Sequence, residues 1–129
     1  MRLSLASTFL FMIVVQALHA IEEFLFEFWD VFPPMHAVYG GTPGLGERVF
    51  IAFHSLLIGI GLWSYRRWVR GGGAGARTVV RWGILVQSFT LLLHAAWFLT
   101  APRYQPGLAT TPLFVPAIAL ATAALKRAS

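Results

Sequence analysis

Four long apolar runs constrain the fold of this chain more than any other feature of its sequence. The runs cover about residues 3–29, 49–65, 79–100 and 108–125. Each is close to the ~20 residues that a helix needs to cross ~30 Å of hydrocarbon. The segments between the runs are rich in proline and glycine, which end helices and form turns. The pattern predicts one all-α domain over residues 1–129, folded as a bundle of four transmembrane helices.

The composition favours a bilayer environment. Hydrophobic residues make up 57% of the chain and charged residues 12%, which is about half the charged share of a soluble domain. The net charge of +5 comes largely from arginines between the second and third runs. Such a cluster is typical of a topology signal, and a nucleic-acid-binding face would need a soluble fold to carry it. We therefore expect no nucleic-acid partner. The absence of cysteine excludes disulfides and thiolate metal ligands.

The first run also has features of a secretory signal peptide, because Arg2 precedes an apolar stretch that ends at Ala20. Two observations favour a retained transmembrane helix. The apolar stretch continues through Phe24 and Trp29, and Leu18 stands where a cleavage site prefers a small residue.

The Lys and Arg residues predict the orientation in the membrane. Eight of the 10 lie on one predicted side: five in the loop between the second and third runs, two near the C-terminus and one near the N-terminus. Only Arg48 and Arg103 lie on the other side. We expect a multi-pass protein of the inner membrane with both termini and the arginine-rich loop in the cytoplasm.

A polar stripe follows one face of the first run and consists of Gln16, His19, Glu22, Glu23 and Glu27. At 100° per residue four of these fall within about 80° of one another, and Glu22 widens the arc to about 140°. Ionisable side chains at bilayer depth cost roughly 2.5–3.5 kcal/mol each, so they usually face a partner inside a bundle. His19 can meet either Glu22 (i, i+3) or Glu23 (i, i+4) on the same face.

Two other runs offer matching histidines, His54 in the second and His94 in the third. Counted from the cytoplasmic end at ~1.5 Å per residue, His19, His54 and His94 lie at ~24, ~17 and ~22 Å. We therefore predict one shared cavity that contains these histidines and Glu23, supported by Gln16 and Gln87. The fourth run has no ionisable group at membrane depth, and its alanines at four-residue spacing suit close helix packing.

The segment His19-Ala20-Ile21-Glu22-Glu23 reads H-x-x-E-E, and the chain resembles the HXXEE family of small bacterial membrane proteins. The apolar and aromatic residues after the motif, His94 late in the third run and the turn Tyr104-Gln105-Pro106-Gly107 are similar as well. The likeness covers nearly the whole chain. It implies a fold and a shared polar site in a bacterial inner membrane, and it implies no particular reaction.

The polar residues support three functional hypotheses. The first is an intramembrane enzyme that acts on a lipid or another hydrophobic small molecule, with catalytic residues His19, Glu22, Glu23 and His94. The second is a non-catalytic subunit or ligand-binding protein of a larger membrane complex. The third is proton or ion translocation through a Glu/His relay, for which four short helices would need to form a homo-oligomer.

The same side chains predict a metal site. Imidazoles and carboxylates without thiolates suit Zn, or Fe and Mn where carboxylates are plentiful. We expect at most one divalent ion, with the ligands His19, Glu23, His54 and His94. A dinuclear site in a helical bundle needs carboxylates on several helices, and the second to fourth runs carry none at membrane depth. A metal-free acid/base pair of His19 and Glu23 is the alternative.

Overall fold

The computed structural model describes residues 4–128, and within that range the chain forms six α-helices and no β-strand. The prediction of an all-α fold is therefore confirmed. The helices are α1 Leu5–Leu25, α2 Phe28–Val31, α3 Pro33–Tyr39, α4 Leu45–Ser64, α5 Ala76–Thr100 and α6 Phe114–Arg127. A π-helical turn, Tyr65–Val69, continues α4, and a 3-10 turn, Thr111–Leu113, precedes α6.

Three of these helices are long and apolar enough to cross a membrane: α1, α4 together with its π-helical turn, and α5. The three long spans thus agree with the first three predicted runs. Helix α6 has 14 residues, which at 1.5 Å per residue corresponds to about 21 Å and falls short of ~30 Å of hydrocarbon. The count of four transmembrane helices is not confirmed by helix length.

The first helix ends at Leu25, earlier than the predicted residue 29. Glu27 adopts a left-handed conformation with φ 52°, and this breaks the helix although the apolar sequence continues. Phe28 and Trp29 then form the short α2 and pack against Phe50 of α4. The predicted loop that follows contains α3, whose first turn accepts two prolines because its N–H groups need no helical partner. The predicted start at residue 3 lies outside the described residues, as does Arg2.

Helix α1 is the centre of the bundle, since it packs against α4, α5 and α6. Its contact with α6 is close because two fully buried alanines, Ala117 and Ala121, face it with almost no side-chain bulk. By contrast, α4 and α5 hardly touch each other. The bundle is therefore tight around α6 and open between α4 and α5.

Most of the basic residues that the structure describes lie at one end of the bundle, although Arg48 and Arg103 lie towards the other end. Val69, beside the arginine-rich loop, packs in the same core cluster as Leu5 at the start of α1. Arg77 at the start of α5 donates a hydrogen bond to the Ala128 carbonyl after α6. The basic loop and both ends of the described chain therefore lie together. The remaining acidic residues line a small pocket at the opposite end, formed in part by Glu27, Asp30 and Glu47.

Candidate functional site

The H-x-x-E-E segment occupies the last two turns of α1, where His19 and Glu23 lie one turn apart on the same face. The exposed fraction is 0% for His19 and 4% for Glu23. Helix geometry places them together without any help from a loop. The position is fixed from behind by α6, because the His19 ring packs edge-on against Phe114 with 4.9 Å between ring centroids.

The Glu23 carboxylate lies among three imidazoles from three helices. Its Oε1 is 3.4 Å from Nε2 of His19 and 3.2 Å from Nε2 of His94, and its Oε2 is 3.4 Å from Nε2 of His54. The Nε2 atoms of His19 and His94 are 3.1 Å apart. The predicted convergence of these four side chains is therefore confirmed. Their roles as catalytic residues or metal ligands stay predictions.

Three of the four residues form a group that could hold a metal ion. One ligand atom each from His19, Glu23 and His94 lies within 4.8 Å of the other two. His54 approaches the second carboxylate oxygen and stands to one side of this group. The set of two histidines and one carboxylate is typical of catalytic zinc sites and of non-haem iron sites.

The hydrogen bonds at Nδ1 of His19 and His54 select the tautomer of each neutral ring. The Thr110 hydroxyl lies 2.9 Å from Nδ1 of His19, and its other two neighbours are the Glu22 carboxylate and the Gly107 carbonyl. Because these two oxygens accept, the hydroxyl donates to one of them and accepts a hydrogen from His19 Nδ1. In the same way Nδ1 of His54 donates to the Phe50 carbonyl at 3.1 Å. Neutral His19 and His54 therefore both point an Nε2 lone pair at Glu23.

A proton or a cation at the centre of this arrangement would stabilise it. A lone pair that faces a carboxylate oxygen at 3.4 Å is repelled by it, and the low dielectric constant of a buried site strengthens the repulsion. A proton on an imidazole or a metal ion between the ligands removes it. His94 has no such outer bond, since its Nδ1 is buried without a partner among the described residues. Its tautomer is thus free to suit either occupant.

Glu22 points away from the cluster, towards the segment that links α5 to α6 (residues 101–113, the α5–α6 linker). Its Oε1 accepts from the Tyr104 hydroxyl at 2.7 Å and the Ala109 amide at 2.9 Å. Its Oε2 accepts from the Thr110 amide at 2.8 Å and the Thr110 hydroxyl at 2.6 Å. Four donors fill the accepting capacity of a carboxylate. Burial and the hydrogen bond to Glu22 raise the pKa of Tyr104 to about 12, so its phenol keeps the hydrogen that it donates.

The same linker closes the cluster at Gly107, which has φ 88°. A Cβ atom at this position would lie 2.6 Å from Cε1 of His19, 2.8 Å from Cε1 of His94 and 3.0 Å from Cγ of Glu23. No other residue type fits without moving these side chains. Backbone conformation and close approach therefore both require glycine here.

The cluster opens on its other side into a cavity of about 750 Å³ between α1, α4 and α5, which we call the site cavity. His19, Glu23 and His54 line it and His94 does not, so the predicted shared cavity contains three of the four side chains. Its remaining wall is mainly apolar and aromatic, with Phe28, Phe50, Phe53, Phe89 and Leu93 among its residues. The volume lies in the range of small-molecule sites, which typically hold ~300–1,000 Å³.

Several residues play parts that the sequence did not indicate. Glu22 was predicted to act with His19 and Glu23 and lies instead behind His19, linked to it through Thr110. Gln87 was predicted to support the site and instead donates to the Met12 carbonyl at 2.6 Å, while Gln16 lines the site cavity. Sequence reasoning missed Thr110 altogether and identified Gly107 only as part of a turn. The proline before that glycine was the one available signal.

No protein-family model, curated protein or solved structure matches this chain. The resemblance to the HXXEE family accordingly stays a prediction from the residues themselves.

Proposed function

We propose that this protein is an intramembrane enzyme that binds one divalent metal ion through His19, Glu23 and His94 and acts on a hydrophobic substrate from the bilayer. The spacing of the three ligand atoms carries the proposal. Their separations are 3.1, 3.2 and 3.4 Å. An ion with bonds of ~2.1 Å holds neighbouring ligand atoms ~3.4 Å apart in tetrahedral geometry and ~3.0 Å apart in octahedral geometry. The triangle fits Zn, Fe and Mn.

The hydrogen bonds behind the ligands support the same conclusion. Metal-binding histidines usually donate their other N–H to a carboxylate, a carbonyl or a hydroxyl that fixes the ring. His19 makes this bond to Thr110, and Glu22 orients Thr110 in turn. Glu22 is therefore assigned a positioning role in place of the catalytic role predicted from the sequence.

The chain supplies the other groups that a reaction needs. When bound, a divalent ion would polarise a substrate oxygen or lower the pKa of a water molecule. His54 borders the site cavity and contacts the Glu23 oxygen that the other histidines leave free. It is placed to accept or return a proton beside the reacting atoms. The apolar wall of the cavity selects a hydrophobic substrate and excludes bulk water.

Elemental analysis of the detergent-purified protein tests this proposal. We expect close to one Zn, Fe or Mn per chain, and loss of that metal in Glu23→Gln, which removes a ligand oxygen without changing the size of the side chain. Glu27→Gln is the matched control, because Glu27 lies one turn further along and is exposed. A protein that stays metal-free after exposure to all three ions would overturn the metal proposal.

We further propose that α6, extended by the 3-10 turn before it, completes a bundle of four transmembrane helices whose basic end faces the cytoplasm. The separation of charge between the two ends supports this orientation. Single cysteines in this cysteine-free chain can test it. Gly41 and Gly73 are suitable positions, since neither has a positive φ and an added Cβ meets no atom closer than 3.7 Å. An impermeant thiol reagent should label position 41 and not position 73 in intact cells, and the reverse pattern would contradict the topology.

We propose that the chain belongs to the HXXEE family and that each residue of the motif has a separate structural role. The His and the second Glu face the cavity, and the first Glu holds the linker that supports the His. Metal analysis of a second protein that carries H-x-x-E-E together with the Tyr-x-Pro-Gly turn would test whether these roles extend beyond this chain. If the second protein were metal-free, the metal-binding role of the motif would apply to this chain alone.

A further inference from the structure

The site cavity adjoins a second cavity, which lies further along α1 towards the basic end of the bundle and which we call the inner cavity. This inner cavity has a volume of about 390 Å³ and is bordered by α1, α4 and α5 on the side of the arginine-rich loop. Four residues line both cavities and form the junction between them: Gln16, Leu57, Trp82 and Val86. A path therefore leads from the His/Glu cluster towards the basic end of the bundle.

The polar groups along this path stand near the cluster, and the far part is apolar. Gln16 lies at the junction, less than one helical turn below His19. Gln87 also borders the inner cavity, but its amide nitrogen is bonded to the Met12 carbonyl. Beyond them the wall is formed by apolar and aromatic residues such as Phe9, Ile13, Ile60, Trp63 and Val79. A ligand on this path would have one polar end, held at the cluster.

The path is open to the bilayer along its side. Helix α4 packs against α1, and α5 packs against α1 and α6, whereas α4 and α5 hardly touch each other. The π-helical turn after α4 does contact α5, so the gap is closed at the basic end. A molecule that resides in the bilayer can therefore enter between α4 and α5 without leaving the hydrocarbon.

The length of the path sets the size of the molecule. From His19 to Phe9 the path follows ten residues of α1, or about 15 Å. An extended chain of carbon atoms covers ~3.8 Å with every three bonds, so about a dozen bonds would fill it. One such arm leads from the cluster towards the basic end, which suits one hydrocarbon chain.

We propose that the substrate is a lipid with a single long hydrocarbon chain, whose polar group lies at the His/Glu cluster and whose chain lies in the inner cavity. This inference rests on the proposed function, because it takes the cluster as the reacting centre. The second chain of a two-chain phospholipid would have to stay in the bilayer outside the gap between α4 and α5, where it makes no contact with the inner cavity. A lipid that merely surrounds the protein would show no preference for the inner cavity.

Photo-crosslinking tests the inference. The probe is myristic acid with a diazirine near its terminal carbon, added to the protein in phosphatidylcholine vesicles, and the labelled residues are identified by mass spectrometry. We expect labelling of buried inner-cavity residues such as Phe9, Met12 and Ser64, and competition by unlabelled myristic acid. Leu57→Trp narrows the junction and should lower the labelling about tenfold, the effect of roughly two methylene groups losing their burial.

Leu56→Trp is the matched control, since Leu56 is adjacent in sequence, 63% exposed and absent from both cavity walls. Labelling confined to lipid-facing residues such as Leu56 and Leu99 would overturn the inference. Equal labelling of the inner cavity by a phosphatidylcholine that carries the same diazirine chain would overturn the single-chain assignment. Metal content is measured on the same samples. Bound metal without labelling of the inner cavity would contradict this inference alone. Labelling of the inner cavity without bound metal would contradict the metal proposal alone.

Discussion

Adjacent carboxylates lie in contrasting environments on two sides of α1. The closed side faces α6 and the α5–α6 linker, and the open side faces the gap between α4 and α5. On the closed side Glu22 accepts four hydrogen bonds from the α5–α6 linker at 2.6–2.9 Å. On the open side Glu23 meets imidazole nitrogens at 3.2–3.4 Å, two of which face it with lone pairs. Glu22 is saturated by donors, whereas Glu23 receives no N–H donor from His19 or His54 when their rings are neutral. Depth in the membrane and residue type are the same for both, so the donors around each carboxylate decide what it can do.

Packing follows the same division. The closed side is built from small residues of α6 and from the linker, which leave no space beside His19. The open side is the gap between α4 and α5 that holds the site cavity. A rigid side that orients ligands and an open side that admits substrate together form a preorganised site.

Gly107→Ala should have the largest effect on stability, because it adds a methyl group to the linker where the linker contacts the His/Glu cluster. The new methyl group would overlap His19 and His94 and would also require a strained positive φ. We expect a loss of roughly 2–4 kcal/mol in the free energy of unfolding, with loss of the metal. Unfolding by SDS titration in mixed micelles and elemental analysis measure the two effects. Gly59→Ala is the control, since a Cβ there meets nothing within 4 Å; equal stability of the two variants would show that the linker does not press on the cluster.

Glu22→Gln should come next and should separate positioning from ligation. The amide would turn an NH₂ group towards donors that now bond a carboxylate, which costs about 2–3 kcal/mol of stability. Metal affinity should fall about 10–100-fold, whereas Glu23→Gln should remove binding. Competition with a metal chelator of known affinity gives the comparison. If Glu22→Gln lost its metal as completely as Glu23→Gln, Glu22 would be a ligand and the two sides would not differ.

Much of the fold could be predicted because it depends on local properties. The length and hydropathy of the apolar runs predicted the three long spans. The end of α1 could not be predicted, because no proline or glycine separates Leu25 from Trp29. That end depends on Phe28 and Trp29 packing against Phe50, a contact between distant parts of the chain.

The candidate site was predictable in its helical part and not in its linker part. Helical spacing and similar depth predicted that His19, Glu23, His54 and His94 lie close together. The wide angle of Glu22 within the stripe was a signal of its different direction, although it could not identify the partners. Hydrogen bonds from Ala109 and Thr110 depend on the path of the α5–α6 linker, and side-chain periodicity carries no information about that path.

Thr110→Val should have a smaller effect on metal affinity, which acts mainly through the orientation of His19. Valine has nearly the same shape and lacks the hydroxyl that accepts from Nδ1 of His19 at 2.9 Å and donates to Glu22. The ring would lose its orientation, and metal affinity should fall about 10-fold. Thr110→Ser keeps the hydroxyl and should restore most of the affinity. The explanation fails if valine and serine weaken binding equally, because shape and not hydrogen bonding would then be responsible.

Tyr104→Phe should have the smallest effect of the four, because Glu22 keeps three of its four hydrogen bonds. The phenylalanine ring retains the contact with Phe26, whose centroid is 5.2 Å from that of Tyr104, so the substitution isolates the hydroxyl. We expect a loss of about 0.5–1.5 kcal/mol in the free energy of unfolding and little change in metal content.

The pKa of Tyr104 is raised to about 12, so the phenol's contribution is complete below the ordinary tyrosine pKa of about 10 and disappears only as the pH rises through the higher value. The difference between the parent protein and Tyr104→Phe should therefore be constant between pH ~6 and ~9 in SDS unfolding. Tyr104→Leu, which also loses the ring contact, should cost more. A phenylalanine variant as stable as the parent protein, or a difference that changes across this pH range, would show that the hydroxyl does not hold Glu22 in the way the closed side requires.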